Sequence, residues 1–206
     1  MERNPDRRPS KHGGLVRTTG STLAAVAFSA GLLVAPGAAS AVPHSHGPVV
    51  TCPSASSVDA VTGATAAAVI STVTRSFFDS KLGISEVATA CTYGHFALGS
   101  EATILVFGVL SKTPPKAVVD ADIKSSLSEA ISKMPPGSKV SYKFGHEFGI
   151  PTFWLDVSSS YQSITISFQT EAGWQGTKVA AAEVFGSATK AELDSLLKIA
   201  IDRFGI

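Results

Sequence analysis

The chain has 206 residues, with 17 Lys and Arg against 16 Asp and Glu and a formal net charge of +1. Residues 1–41 hold five of the basic and two of the acidic residues, so residues 42–206 carry 12 basic and 14 acidic side chains. That balance argues against a nucleic-acid partner, which requires a basic patch, and no run of like charge marks a surface for anionic lipid.

The N-terminal segment has the parts of an export signal. Basic residues dominate residues 1–17, and residues 22–35, TLAAVAFSAGLLVA, are apolar and uncharged. This run of 14 residues is shorter than the roughly 20 residues of a membrane-spanning helix. Because Ala39 and Ala41 fit a signal-peptidase site, we expect a signal peptide over residues 1–41, cleaved after Ala41, and a secreted, extracellular protein with no stable membrane span after processing. An uncleaved N-terminal anchor is the alternative.

The segment after the signal is polar. Residues 42–51, VPHSHGPVVT, are rich in Pro and His, and we expect them to be disordered. His44 and His46 are weak candidates for metal binding. Pro43 has no N–H to give to an amino-terminal chelate, and two imidazoles fall short of a three- or four-ligand site. We therefore predict no metal centre and no cofactor.

The chain has two cysteines, Cys52 and Cys91. In an oxidising compartment an even number of cysteines favours a disulfide. The alternative is a reactive Cys91 thiol activated by His95, but a sulfur held in a disulfide cannot attack a substrate. We predict a Cys52–Cys91 disulfide and assign no catalytic residue.

The first half of the domain contains helix, strand and one ambiguous segment. Ser-rich residues 54–63 predict a short helix that ends at Gly63. Residues 64–79 have apolar residues at helical spacing but are also rich in β-branched residues, and we favour a helix there. Residues 86–96, EVATACTYGHF, predict a strand, and residues 102–110, ATILVFGVL, predict a central strand because the apolar run is nearly continuous.

The second half predicts a long helix, four strands and a last helix. Pro114 and Pro115 open a helix in which apolar residues recur every four positions, namely Val119, Ile123, Leu127 and Ile131. The strands are KVSYKFG, TFWLDV, QSITISFQ and TKVAAAEVF, with SSSY and EAGWQG as connections. The last helix is capped by Ser187 or Thr189 and buries a stripe of Leu193, Leu196, Leu197, Ala200 and Ile201.

This order of elements predicts the fold class. Short links between strands favour antiparallel pairing, so we expect an α+β fold with a single antiparallel sheet of about five or six strands and helices packed on one face. Residues 52–206 are long enough for one disulfide-stapled domain.

The sequence contains few candidates for catalytic residues. The sequence has no motif of a serine hydrolase elbow, zinc protease, dinucleotide site or phosphate loop. His146 and Glu147 follow the strand KVSYKFG; if the strand continued they would point to opposite faces, and we interpret them as solvated polar residues of a turn. The aromatic residues of the second half either fill the core or are candidate contacts for a ligand or partner, and the candidates are Tyr142, Phe153, Trp154 and Trp174. We expect Trp174 to be exposed, because EAGWQG is interpreted as a turn.

The layout resembles a known group of proteins. Cysteine opens CPSASSVDAVTG, a second cysteine lies in CTYG, a strand and helix follow, and FGIPTFWLDV leads into paired strands and a final helix. This is similar to secreted and lipoprotein domains of unknown function from actinobacteria, and in plan to the extracellular sensor domain of PknH-type kinases. The resemblance spans roughly residues 52–204. It implies an antiparallel sheet with flanking helices and a Cys52–Cys91 bridge, and no catalytic residues.

These features lead to a functional expectation. We expect a secreted, non-enzymatic binding or sensor-like domain whose partner is a small ligand, an envelope component or a protein. One alternative is a secreted hydrolase whose Ser, His and Asp residues converge only in the folded state. The other is a structural envelope protein that uses the segment around Trp174.

Overall fold

A computed structural model describes residues 48–63, 69–79, 83–94, 102–132, 134, 136–161 and 164–206. Within these ranges the chain forms three helices, α1 (Ala55–Thr62), α2 (Lys116–Ser132) and α3 (Lys190–Phe204). It also forms seven strands, β1 (Val69–Asp79), β2 (Ile84–Gly94), β3 (Ala102–Leu110), β4 (Lys139–Glu147), β5 (Ile150–Tyr161), β6 (Ile164–Gln175) and β7 (Lys178–Phe185).

The strands form one antiparallel sheet in the order β1-β2-β3-β7-β6-β5-β4. Two runs of consecutive antiparallel strands, β1 to β3 and β4 to β7, meet where β3 pairs with β7. Helix α2 carries the chain from the middle of the sheet to its β4 edge. The predicted α+β fold with a single antiparallel sheet is confirmed, but the sheet has seven strands and not five or six.

The additional strand is β1, and the helix favoured for residues 64–79 is wrong over Val69–Asp79. Residues 64–68 lie outside the described residues. Val69, Ile70, Thr72, Val73 and Thr74 are β-branched, and such residues pack well on a pleated surface. Pairing of β1 with β2 along its length therefore prevails over the helical spacing of a few apolar residues.

Helices cover both faces of the sheet, so the expectation that they pack on one face is wrong. We call the side covered by α2 the single-helix face; there Val119, Ile123 and Leu127 pack on β-strand residues such as Ile104 and Val106. We call the other side the two-helix face; there α1 and α3 pack on residues such as Leu105 and Phe107. Strand β3 is apolar on both faces, and each face needs its own cover.

The two helices of the two-helix face begin and end as their sequences predict. Ser54 caps α1 and Gly63 ends it in a left-handed conformation. Thr189 and Glu192 form a reciprocal capping box at the start of α3. The predicted stripe of α3 is confirmed, since Leu193, Leu196, Leu197, Ala200 and Ile201 are all buried.

A disulfide joins the N-terminal part of the described chain to the sheet. Cys52 and Cys91 are bonded, which confirms the predicted pairing and is consistent with folding outside the cytoplasm. Of residues 42–51, for which we expect disorder, Val49 and Val50 pack against the core of the two-helix face. No helix in the described ranges has the length and hydropathy needed to cross a membrane.

Candidate functional site

A small pocket opens on the two-helix face at the end of the sheet where β2 stops and β3 begins. Its floor is a row of three residues that are partners across neighbouring strands, Tyr93, Thr103 and Val184. Tyr93 and Thr103 are buried, and Val184 belongs to the apolar core of this face. The sheet register therefore sets the shape of the floor.

The two helices of this face form the walls. Helix α1 contributes Val58, Asp59 and Thr62, while α3 and the residues before it contribute Ser187, Ala188, Glu192 and Leu196. The pocket volume is about 50 Å³. A single water needs roughly 10–15 Å³ on this scale, so the space suits a few waters or the head group of a small ligand.

The pocket carries two carboxyl groups and no basic group among its lining residues, all of which are described. The Glu192 Oε2 atom accepts hydrogen bonds from Thr189 N at 2.6 Å and Thr189 Oγ1 at 2.8 Å. The bond from the backbone of Thr189, together with that from its side chain, lowers the pKa of Glu192 and keeps the group ionised. The Asp59 carboxylate forms no hydrogen bond or ion pair with a described residue.

Tyr93 is held in the floor by its hydroxyl group. The hydroxyl donates a hydrogen bond of 2.8 Å to the carbonyl oxygen of Pro53, and Pro53 is buried. Burial raises the pKa of Tyr93 to about 12, while the positive charge of Arg203 opposes this shift. The phenol is therefore neutral near pH 7, and its ring is a fixed part of the pocket.

A second polar cluster lies on the other flank of the first turn of α3. Lys190 Nζ is 3.1 Å from Glu147 Oε2 and 2.9 Å from Glu171 Oε1, and it also pairs with Asp194. One oxygen from each of the three acids lies within 4.8 Å of the others, a spacing that a metal ion could use. The Lys190 ammonium already stands among these oxygens, so the cluster is an ion-pair network that fixes α3 on β4 and β6.

Glu171 is the buried member of this network. Burial, with a hydrogen bond to Asp194, raises the pKa of Glu171 to about 8 against the opposing effect of Lys190. Burial alone would also raise the pKa of Asp194, but hydrogen bonds from Glu171 and Lys190 outweigh it and the net shift is downward. The protonated form of Glu171 is therefore favoured near pH 7.

Two further acids are buried on the single-helix face. Glu86 and Glu183 have no exposed surface, and none of their four carboxylate oxygens has a hydrogen-bond partner. Burial raises the pKa of Glu86 to about 8 and that of Glu183 well above its ordinary value. The Glu86 carboxyl lies on Gly108, where a Cβ atom would collide with it. Burial therefore favours the neutral form of both groups in the folded protein.

The aromatic candidates divide between the two faces. Tyr142 on the edge strand β4 is 46% exposed, and its ring centroid lies 6.4 Å from that of the fully buried Phe153. Phe144, the cross-strand partner of Phe153, contacts both rings, and its ring is at 89° to that of Tyr142. Rings at right angles offer no flat surface on which a planar or sugar ring could stack, so we assign no site there.

The two tryptophans lie on opposite faces, and neither is in a turn. Trp174 is inside β6 and only 7% exposed, so the expectation of an exposed Trp174 is wrong. The turn is confined to Gly176 and Thr177, because Gln175 still pairs with Lys178. Trp154 is half-buried on the two-helix face as the cross-strand partner of Glu171. The structure thus brings Phe153 and Trp174 into one core and separates Trp154 from them.

The histidines considered for chemistry are not brought together with a nucleophile. His146 is exposed on β4 and forms no hydrogen bond with a described residue. His44, His46 and His95 lie outside the described residues. Both cysteines are in the disulfide. The residues of the pocket, above all Asp59, Tyr93 and Glu192, were not among the sequence candidates.

Comparison of the chain with protein-family models, with curated proteins and with solved structures finds no match. The geometry of the pocket and of the acidic clusters is therefore the basis for assigning a function.

Proposed function

We propose that this protein is a secreted, non-enzymatic binding domain that holds a small ligand in the pocket between α1 and α3. Export would depend on the signal peptide expected over residues 1–41. The disulfide supports an extracellular location, because such bonds persist in oxidising compartments. We include in this proposal the resemblance to secreted domains of actinobacteria and to the extracellular sensor domain of PknH-type kinases, which suggests a binding or sensing role.

The observation that carries the proposal is the composition of the pocket. The pocket is lined by polar groups from α1, the sheet floor and the start of α3, and by apolar side chains that include Val58, Val184 and Leu196. A concave apolar site with a few convergent polar groups is the usual form of a small-molecule site. At about 50 Å³ it would enclose one end of a ligand and leave the rest in solvent.

The electrostatics support binding over catalysis. Catalysis by a carboxylic acid requires a group that exchanges its proton at a reactive centre. In the pocket, the carboxylate of Glu192 is kept ionised by Thr189, and the phenol of Tyr93 is kept neutral and bonded to Pro53. Glu171, a buried acid with a raised pKa outside the pocket, is paired with Lys190.

The proposal is tested by closing the pocket. Ser187 is exposed at its rim, so Ser187→Trp should fill the entrance without disturbing the core. The purified chain is titrated with ethanolamine, choline, N-acetylglucosamine, acetate and glycerol while backbone amide NMR signals are followed. We expect at least one of these probes to shift the signals of Tyr93, Gly94 and Thr103 saturably, and Ser187→Trp to abolish the shifts.

The matched control is a tryptophan at a comparably exposed position away from the pocket. Ser195 lies on the outer side of α3, and Ser195→Trp should leave the binding of the same probe unchanged. If none of the five probes shifts the pocket signals, or if Ser187→Trp binds as the parent chain does, the pocket is not a ligand site.

A further inference from the structure

We infer that the pocket between α1 and α3 recognises a positively charged nitrogen, as in a primary ammonium or a trimethylammonium group. This inference rests on the proposed function and names the class of ligand for the same site. Asp59 and Glu192 line the pocket from its two walls, and its remaining lining residues are neutral. A cation entering the pocket would therefore meet negative charge from both helices.

The charge of Glu192 is fixed by the fold. Its Oε2 atom serves the capping box of α3, and both donors of Thr189 bond to that one oxygen. Glu192 Oε1 forms no hydrogen bond with a described residue and remains available to accept one. Because the capping bonds favour the ionised form, the negative charge persists at the pH of most extracellular fluids.

Tyr93 adds an aromatic contribution from the floor. A cation placed over an aromatic face within about 6 Å is attracted by the ring, with a gain on the order of 0.5–2 kcal/mol. The hydrogen bond from the Tyr93 hydroxyl to Pro53 holds the ring in place, so no ordering of this side chain is required on binding. Carboxylate together with an aromatic ring is a usual setting for alkylammonium ligands.

The hydroxyl groups complete the set of acceptors. Thr103 lies in the floor and Ser187 at the rim, and each offers an oxygen to a donor. An ammonium group carries three N–H donors and no acceptor, which matches a pocket whose charged groups accept hydrogen bonds.

A divalent metal ion fits this pocket less well. In the described residues, the acids whose ligand atoms lie within 4.8 Å of one another are Glu147, Glu171 and Asp194, and Asp59 and Glu192 do not belong to such a group. The neighbouring Lys190 network shows that acidic side chains on this face already bind an ammonium group, since Lys190 pairs there with Glu147, Glu171 and Asp194. An anionic ligand would face two carboxylates without a compensating cation.

The test compares ligands of one shape and different charge. Choline and its uncharged carbon isostere 3,3-dimethyl-1-butanol are titrated into the purified chain, with the amide signals of Tyr93, Gly94 and Thr103 as the readout. We expect choline to bind at least about tenfold more tightly than this isostere, since tenfold is about 1.4 kcal/mol. Added salt should weaken binding of the cation alone.

Variants locate the charge that is responsible. Glu192→Gln removes the charge and retains an acceptor for the capping box of α3. Asp59→Asn removes the charge on α1 and keeps the size of the side chain. Each should weaken binding of the cation about five- to tenfold and leave binding of the isostere unchanged. Asp202→Asn removes one negative charge from an exposed part of α3 and should leave both affinities as they are. Circular dichroism confirms that each variant is folded.

The outcomes separate the two levels of the proposal. If the isostere binds as tightly as choline, the pocket binds ligands but does not select positive charge, and this inference is wrong while the proposed function stands. The same holds if Ca²⁺ displaces choline at micromolar concentration, because the site would then be a metal site. If neither choline, ethanolamine nor the isostere shifts the pocket signals, the inference is overturned.

Discussion

The hydroxyl of Tyr93 donates a hydrogen bond of 2.8 Å to the carbonyl oxygen of Pro53, beside the disulfide that joins Cys52 to Cys91. A covalent and a hydrogen-bonded link thus connect the same two parts of the chain, the segment before α1 and the strand β2. Both links lie next to the pocket, because Tyr93 forms part of its floor and α1 one of its walls. The position of α1 over the sheet therefore depends on them.

Replacing Tyr93 by Phe tests the hydrogen-bonded link. The variant leaves the carbonyl of Pro53 buried without its partner, and we expect a loss of about 1–2 kcal/mol in the free energy of unfolding by urea. The control is Tyr142→Phe, in which an exposed hydroxyl on β4 is removed and the change should stay below about 0.5 kcal/mol. Equal losses in the two variants would contradict the role assigned to the bond with Pro53.

Removing the disulfide tests the covalent link. The bridge joins residues 39 positions apart, and the chain-entropy model gives about 4 kcal/mol for a loop of that size. We expect Cys52→Ala together with Cys91→Ala to lower the free energy of unfolding by about that amount. Alanine is used because Cys91 is fully buried and a serine hydroxyl there would add a cost of its own. A double variant as stable as the parent would show that the bridge constrains nothing.

The buried acids of the single-helix face predict a fall in stability as pH rises. Unfolded, Glu86 loses its proton near pH 4.5; folded, it retains the proton to about pH 8 because burial raises its pKa. In this window the unfolded chain binds fewer protons, so the free energy of unfolding decreases by about 1.4 kcal/mol per pH unit for such a group. Glu86→Gln should remove its share of this slope in urea unfolding measured from pH 5 to pH 8.

The same measurement on Glu183→Gln should also flatten the pH dependence, because burial raises the pKa of Glu183 as well. Asp202→Asn is the control, since Asp202 is exposed on α3 and pairs with Lys198. An unchanged slope in both glutamine variants would mean that these carboxyl groups are ionised or solvated in the folded protein.

The Lys190 network predicts a coupling between Lys190 and Glu171. Lys190→Met leaves Glu171 buried beside two other acids, and we expect the free energy of unfolding at pH 8 to fall by about 2 kcal/mol. This value is below that of a fully buried pair, because Lys190 is 41% exposed and solvent screens its charge. The loss should shrink at pH 5, where Glu171 holds its proton, and in the Glu171→Gln background. Lys198→Met, which breaks an exposed pair on the same helix, should cost at most about 0.5 kcal/mol. Costs of Lys190→Met and Glu171→Gln that simply add would contradict a direct coupling.

Local signals in the sequence predicted much of the fold. The buried stripe and the cap of α3, the strand Ala102–Leu110 and the ends of α1 follow from spacing, capping residues and a continuous apolar run. The disulfide followed from the number of cysteines together with the expected export. Each of these features depends on residues that are close in sequence or, for the disulfide, on one pair of cysteines.

The wrong predictions arise where tertiary pairing decides. Val69–Asp79 carries both helical spacing and β-branched residues, and pairing with β2 selects the strand. For Trp174, the glycines of EAGWQG suggested a turn, but Gly173 lies inside β6 and its missing side chain makes room for Ile150. The number of strands and the cover on each face depend on the same long-range contacts.

The pocket could not be found from the sequence, because its residues come from four separate segments. Asp59, Tyr93, Thr103 and Glu192 carry no spacing pattern that relates them. The strand register places Tyr93 opposite Thr103, and the packing of α1 and α3 brings the two acids to the same opening. The sequence indicated a cap at the start of α3, but Glu192 is explained by its role in capping the helix, so nothing pointed to a second role in a pocket.

The pairing of β3 with β7 also has a consequence for the order of events during synthesis. Strand β3 precedes β7 by the whole of α2 and three strands, so a chain that emerges from its N-terminus presents the open edge of β3 long before its partner exists. Contacts that are so distant along the chain close slowly and leave apolar surface uncovered in the meantime. Because the chain is synthesised from its N-terminus, the hydrophobic core is completed only after the last strand and helix have been made. During that interval a chaperone would protect the exposed apolar surface of the N-terminal half.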